Sequence, residues 1–245
     1  MNEFSELIRG GKSKNTIIFA LYTHEGDVVI ASDTLSTIGD IKGDEEKISK
    51  LGNALVATAG IVSSCQVFEE EIEKLFEENK EIDREKIRKT FTSARKKYLK
   101  SLDTEDEKEW DVEALLVAPF NNKIKILKIN TDGSEEEIKK MDFVVIGSGE
   151  KSGYTLANFI IKEKLPLKKA LTISYLIVDE TKKTCLGVGG GTDIWVYTHD
   201  KKIKHLTKEE IEKEKEKAEE LKEKILKIIY PHQKQNEKKK IRITS

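Results

Sequence analysis

Apolar and polar positions follow one another in blocks that predict strands, then helices, strands, helices and strands again. The stretch KNTIIFALYTHEGDVVIASD, residues 14–33, is mostly apolar over 16–23 and 27–32 with a glycine turn between, which predicts a β-hairpin. The stretch KISKLGNALVATAG, residues 47–60, predicts a third strand that ends at Gly60. Two polar residues bracket the hairpin, because Thr16 opens its first strand and Asp33 closes its second.

Helical spacing of apolar residues appears in the charged segment that follows. The spacing predicts two helices, or one helix broken near residues 79–83, with these core-facing positions: Phe68, Ile72, Leu75, Phe76, Ile87, Phe91, Ala94 and Tyr98. Residues 111–149 predict further strands, 152–164 and 167–182 two more helices, and 192–206 a final hairpin. This blocked order predicts an α+β fold with antiparallel sheets and outer helices.

The last predicted helix, within residues 206–229, has a narrow apolar seam at heptad-like spacing. Its members are Ile211, Ala218, Leu221, Ile225 and Ile228. We favour a surface helix that packs this edge on the domain, and a helix that binds a partner or a second copy is the alternative. Residues 231–245 are polar and basic, which predicts a disordered, solvated tail.

Composition narrows the classes of function. The chain of 245 residues is 37% hydrophobic and 36% charged, which fits one large domain or two small ones. Its 44 basic and 45 acidic residues nearly cancel, so charge gives no reason to expect a nucleic-acid or membrane partner. The charge is almost all Lys and Glu, a composition typical of heat-adapted proteins. Without an apolar run of about 18 residues or a secretory signal, we expect a soluble, cytoplasmic protein.

Cysteine and histidine spacing gives no metal-binding motif. Cys65 and Cys185 are far apart, and we expect both to be reduced thiols. The four histidines are dispersed and form no ligand pair, so we expect neither a metal nor a cofactor.

A glycine loop carries a rival hypothesis, nucleotide binding. Gly147, Gly149 and Gly153 lie between a predicted strand and a predicted helix, where a dinucleotide fingerprint has meaning. If the stretch around Asp179 were the next strand, that residue would lie near a ribose. However, Ser152 stands where the third glycine belongs, and residues 167–182 also fit a helix.

The opening hairpin can gather reactive groups at one end of a sheet. Alternation places Thr16 and Ala20 on one face, and pairing in register brings Asp33 toward Thr16. Lys47 opens the next strand and Gly60 ends it. A hydroxyl, a carboxylate, an ammonium group and a small-residue backbone can therefore converge into a nucleophile site. Taken singly, each of these residues is more often structural than catalytic.

Four stretches in order resemble proteasome β-subunits and the HslV-like peptidases, which are N-terminal-nucleophile hydrolases. They are EGDVVIASDTLSTIGD, KGDEEKISKLGNALVATAG, VVIGSG and GGTDIWVYTHDKKIKHLTKEEI, and the match as a whole covers roughly residues 14–212. The resemblance implies a four-layer α/β/β/α sandwich of two antiparallel sheets. It also implies a homo-oligomeric ring, unfolded protein or peptide as substrate, and an ATP-dependent unfoldase as partner.

Carried over residue by residue, the resemblance implies a catalytic site. Thr16 would be the nucleophile, Lys47 would lower the pKa of the reacting groups, and Asp33 would hold Lys47. The Gly60 N–H would form the oxyanion hole. Ser148 would support the threonine amine, and Asp179 is the candidate for the late aspartate of the family.

The same resemblance divides the chain at Thr16. Residues 1–15 would be a propeptide or N-terminal extension, 16–206 the proteasome-like domain, and 207–245 a charged helix with a basic tail. Asn15 precedes Thr16 where the family usually has glycine, and Ile17 follows where a second threonine is common. Two functions therefore stay open: a threonine peptidase that has lost residues 1–15, and an unprocessed structural or gating subunit without an active threonine.

Overall fold

The computed structural model describes residues 16–38, 41–78, 83–121, 123–139 and 142–230. The extension 1–15 and the tail 231–245 lie outside these residues. The elements in chain order are β1 (Ile18–Tyr22), β2 (Val28–Asp33), β3 (Leu35–Ile38), β4 (Ile41–Asp44), β5 (Ile48–Leu51), β6 (Ala54–Gly60), α1 (Val62–Glu78), α2 (Arg84–Ser101), a 3₁₀ helix (Glu107–Glu109), β7 (Val112–Phe120), β8 (Lys123–Ile129), β9 (Glu135–Ile138), β10 (Phe143–Ile146), α3 (Glu150–Ile160), α4 (Leu167–Thr184), β11 (Thr192–Tyr197), β12 (Ile203–His205) and α5 (Lys208–Ile229).

Two five-stranded antiparallel sheets form the centre of the fold. The strand order is β10-β1-β2-β11-β12 in the first sheet and β5-β6-β7-β8-β9 in the second. Apolar side chains of both sheets form one core between them. Helices α3, α4 and α5 cover the outer face of the first sheet, and α1 and α2 cover that of the second. This is the predicted four-layer α/β/β/α sandwich.

Strand β1 shows why the opening stretch is so apolar. Ile18 and Ala20 belong to the core between the sheets, whereas Phe19 and Leu21 pack against the helices. Side chains of a strand alternate between faces, and here both faces are buried. A continuous apolar run therefore replaces the polar alternation of a solvent-facing strand.

Local turns account for two differences from the predicted elements. Residues 47–60 form two strands, β5 and β6, because Gly52 adopts a positive φ of 58° and reverses the chain. The short hairpin of β3 and β4 was not predicted, and it lies next to the end of β2. Both hairpins contribute residues to the surroundings of Thr16.

The final helix packs along only part of its apolar seam. Thr207 caps α5 through a capping box with Glu210. The helix then packs on the domain core through three seam residues: Ile211, Ala218 and Leu221. Toward its end, Ile225 and Ile228 are 43% and 80% exposed. The first half of α5 is therefore the surface-packing helix that we favoured from the sequence.

Tyr22 joins the two sheets by a hydrogen bond across the central core. Its hydroxyl accepts from the Ile126 N–H at 2.8 Å, and burial raises the pKa of Tyr22 to about 12. We expect Tyr22→Phe to leave that N–H unsatisfied and to lower the free energy of unfolding by roughly 1–3 kcal/mol. Denaturant unfolding followed by circular dichroism measures the change. The control Tyr230→Phe alters a half-exposed ring, and an equal loss in both variants would contradict the role of this bond.

Candidate active site

The backbone of Thr16 is clamped by the turn between β10 and α3. Its N–H donates to Ser148 Oγ at 3.1 Å, and its carbonyl accepts from the Gly149 N–H at 3.0 Å. The Ser148 hydroxyl also reaches the Thr16 carbonyl, at 3.4 Å. Thr16 is 6% exposed. These bonds fix the position of the residue directly before β1.

The glycines of this turn permit its close approach to Thr16 and Ile17. Gly147 has a φ of +88°, and a Cβ there would lie 2.4 Å from the Thr16 carbonyl oxygen. A Cβ at Gly149 would lie 2.8 Å from Ile17 Cβ, and one at Gly153 would meet the core side of β10. The glycines of this turn therefore serve close packing of the protein against Thr16, Ile17 and β10.

The topology around this glycine loop also differs from a dinucleotide-binding unit. Strand β10 pairs antiparallel with β1, and the stretch around Asp179 is helix α4, not a strand. A fingerprint loop needs a parallel β-α-β unit. All strand pairs of the residues that the structure describes are antiparallel. The glycine loop therefore lacks the parallel β-α-β setting on which the nucleotide-binding hypothesis depends.

Asp33 is a fully buried carboxylate that binds three groups from different parts of the chain. Its Oδ1 accepts from Lys47 Nζ at 2.8 Å and from the Ile17 N–H at 2.9 Å. Its Oδ2 accepts from the Gly189 N–H at 3.1 Å. The ion pair with Lys47 is itself buried, since the Lys47 side chain is only 9% exposed. Burial lowers the pKa of Lys47, although the Asp33 carboxylate acts in the opposite direction.

Gly60 ends β6 in a conformation that requires glycine. Its φ is +145°, and a Cβ would lie 1.9 Å from the Asp111 carbonyl oxygen. Gly60, Thr16 and Lys47 together line one cavity. The structure thus brings Thr16, Asp33, Lys47, Gly60 and Ser148 into one contiguous cluster.

Asp179 does not contact this cluster. It lies on α4, where its carboxylate binds Lys183 Nζ at 2.8 Å and lies 3.5 Å from Lys222 Nζ of α5. These lysines lower the pKa of Asp179 against the effect of burial. Asp179 on α4 thus faces α5, apart from the five clustered residues, and its place as the late aspartate of the family stays a prediction.

Lys182 is a residue of the site region that the sequence did not indicate. Its Nζ donates to Thr192 Oγ1 at 2.6 Å and to the Gly190 carbonyl at 3.2 Å. Burial lowers the pKa of Lys182 to about 8. Lys182 holds the loop that presents the Gly189 N–H to Asp33. The only signal of this loop in the sequence is the glycine run at residues 189–191.

The two cysteines have different surroundings. Cys65 is buried beside Thr58, and burial raises the pKa of its thiol. Cys185 lies at the end of α4, with its Sγ 3.5 Å from the Ser148 carbonyl oxygen. Over the described ranges, no group of three or more His, Cys, Asp or Glu side chains could hold a metal ion. Among the helices described, none combines the length and apolar character that crossing a bilayer demands.

Comparison with known proteins points to one family. A model of the proteasome subunit family matches residues 14–197. No curated protein matches the chain. Similar solved structures include Anbu, an ancestral β-subunit, from Yersinia bercovieri, with 16% identity, a TM-score of 0.72, and coverage of 87% of this chain and 96% of that one. A (Gly-1) mutant of Anbu from Hyphomicrobium sp. strain MC1 gives 17% identity, a TM-score of 0.69 and the same coverage.

The buried ion pair should make a measurable contribution to stability. We expect Asp33→Asn to lower the free energy of unfolding by roughly 3 kcal/mol, because it removes the carboxylate that compensates a buried ammonium group. The matched control is Asp44→Asn, which alters an exposed aspartate on the neighbouring hairpin and should cost much less. Denaturant unfolding at fixed protein concentration compares them. Equal losses in both variants would show that Asp33 is not needed to hold Lys47.

Proposed function

The chain belongs to the proteasome subunit family, and from this premise we propose that it is a threonine peptidase whose nucleophile is Thr16, exposed by removal of residues 1–15. One observation carries the proposal. Thr16, Lys47 and Gly60 line a single cavity, and the carboxylate that holds Lys47 also holds the Ile17 N–H next to Thr16.

Activation needs a bond to break on the N-terminal side of Thr16. In the proposed step, the Thr16 hydroxyl oxygen attacks the Asn15 carbonyl carbon, and the acyl group moves from nitrogen to oxygen. Water then hydrolyses the resulting ester, which releases residues 1–15 and restores the hydroxyl. The Thr16 nitrogen gains a proton during the shift and becomes a free α-amine.

The free amine supplies the base for peptide cleavage. Its ordinary pKa is near 8, so it can accept the hydroxyl proton while the oxygen attacks the substrate carbonyl. The acyl group forms an ester with Thr16, and the leaving amine takes the proton. Water then hydrolyses the ester. The ammonium group of Lys47 favours the neutral form of the amine and stabilises the developing negative charge.

The position of Gly60 on β6 allows its N–H to act as the oxyanion donor. Donor groups on one strand alternate between its two neighbours. The Thr58 N–H binds the Lys47 carbonyl at 3.2 Å, so the Gly60 N–H is directed to the same side, past the start of β5. Ser148, already bound to the Thr16 nitrogen, would orient the free amine.

A structural or gating subunit with an uncut chain is the second candidate. It is favoured by Asn15, which stands where the family usually has glycine. Proteasome-like proteins typically form oligomeric assemblies, and we extend that to this chain as a homo-oligomeric ring. Unfolded protein would be the substrate and an ATP-dependent unfoldase the partner, if the chain is a peptidase.

Intact mass and active-site labelling distinguish the two candidates. We expect the purified protein to lose residues 1–15 on incubation and to bind an epoxyketone probe at Thr16. Thr16→Ala should stay full-length and lose peptide hydrolysis by roughly 10³-fold or more, because it removes the nucleophile. Thr16→Ser, which keeps a hydroxyl, should retain part of both activities.

The control for this experiment is Thr155→Ala, on the exposed side of α3, which should process and hydrolyse normally. A wild-type protein that stays full-length and unlabelled would refute the peptidase and favour the structural subunit. Normal hydrolysis by Thr16→Ala would show that the nucleophile lies elsewhere.

A further inference from the structure

The cavity beside Thr16 has strongly acidic walls. Away from Thr16 and Gly60, it is lined by the carboxylates Glu45, Glu46 and Glu69. The one basic residue among its lining residues is Lys47, whose charge is matched by Asp33 at 2.8 Å. The remaining lining residues are neutral: Leu35, Ser36, Thr58, Val62, Cys65 and Gln66. The side chains that line the cavity therefore carry a net negative charge, which faces any group that binds beside Thr16.

Glu69 is held in one orientation on this wall. It lies on α1, and its Oε1 accepts from the Thr58 hydroxyl at 2.6 Å. Its Oε2 accepts from the Ser49 hydroxyl at 3.3 Å. Both donors come from the second sheet, so α1 and the sheet fix the carboxylate together. Burial raises the pKa of Glu69, whereas the hydrogen bonds from Thr58 and Ser49 favour the charged carboxylate and act in the opposite direction.

The position of Thr58 sets the distance between this carboxylate and the proposed reaction centre. Thr58 and Gly60 are two residues apart on β6, so they share one face and lie about 7 Å apart along the strand. A substrate carbonyl bound at the Gly60 N–H is thus separated from the Thr58–Glu69 pair by this distance. Only a long substrate side chain would reach from that carbonyl to Glu69. Lysine and arginine have this length, and their charge complements Glu69.

We propose that this cavity receives the side chain of the substrate residue on the acyl side of the cleaved bond, and that Glu69 selects lysine or arginine there. The inference rests on the proposed peptidase function and names its substrate class. A cationic side chain would pair with Glu69, whereas an apolar one would cover the carboxylates without supplying an opposite charge. An acidic side chain would add like charge to the cavity. Thr16 and Gly60 line the same cavity as Glu69, and the acidic residues determine which side chain the cavity accepts.

Peptide hydrolysis by the processed protein tests this assignment. Four fluorogenic peptides would differ only in the residue before the cleaved bond, which is arginine, lysine, leucine or glutamate. We expect kcat/KM for the arginine and lysine peptides to exceed that for leucine by at least about tenfold. Glu69→Gln keeps the shape of the side chain and removes its charge. It should lower kcat/KM for arginine about tenfold and change that for leucine by less than about threefold.

The matched control is Glu70→Gln, because Glu70 is the next residue on α1 and its carboxylate binds Lys97 on the protein surface. It should leave all four rates unchanged. A second variant, Glu69→Arg, should shift the preference toward the glutamate peptide, and labelling at Thr16 shows that the variant protein is folded.

Two kinds of failure are distinguishable. Hydrolysis with a preference for leucine or glutamate, or an equal loss for all four peptides in Glu69→Gln, would overturn the role of Glu69 and leave the peptidase intact. If no peptide is hydrolysed and Thr16 is not labelled, the peptidase proposal is overturned, and this inference with it.

Discussion

The buried Asp33 carboxylate is the constraint on which the geometry of the site depends. A charge without solvent contact must be compensated by an opposite charge and by hydrogen bonds. Asp33 meets this need with Lys47, the Ile17 N–H and the Gly189 N–H, which come from three separate parts of the chain. Satisfying one carboxylate therefore fixes the start of β1, the approach to β5 and the loop before β11 around Thr16.

The same burial links folding energy to reactivity. Removing Lys47 from water costs free energy and lowers its pKa, while Asp33 keeps the ammonium form available. An exposed lysine would be screened by water and would have little influence on a neighbouring amine. Gly147 and Gly60 also help to build the site. At each of them, the carbonyl oxygen of another segment approaches the backbone more closely than a residue with a Cβ would permit. The polypeptide is thus packed so that the backbone supplies much of the site.

Sequence patterns predicted the parts of this arrangement that depend on local order. Apolar runs predicted β1 and β2, and helical spacing predicted the paired helices. The family resemblance carried by four stretches, and not a local pattern, implied that Thr16, Asp33, Lys47, Gly60 and Ser148 share one site. Contacts between distant segments that the resemblance did not include were not predictable. Glu69 belongs to an acidic helical run that resembles a solvated face, and only the packing of α1 on the second sheet brings it to Thr58. The surroundings of Asp179 were not predictable for the same reason, since only the packing of α4 on α5 brings it to Lys222.

The difference between a peptidase and a structural subunit then reduces to one covalent bond. In the intact chain the Thr16 nitrogen is an amide that donates to Ser148 Oγ, and an amide nitrogen cannot accept the hydroxyl proton. The ion pair, the cavity and the Gly60 backbone conformation are already present in the intact chain. Cleavage before Thr16 would therefore not have to rebuild the site. It would convert one hydrogen-bonded amide into a base within a fold that is already arranged to use it.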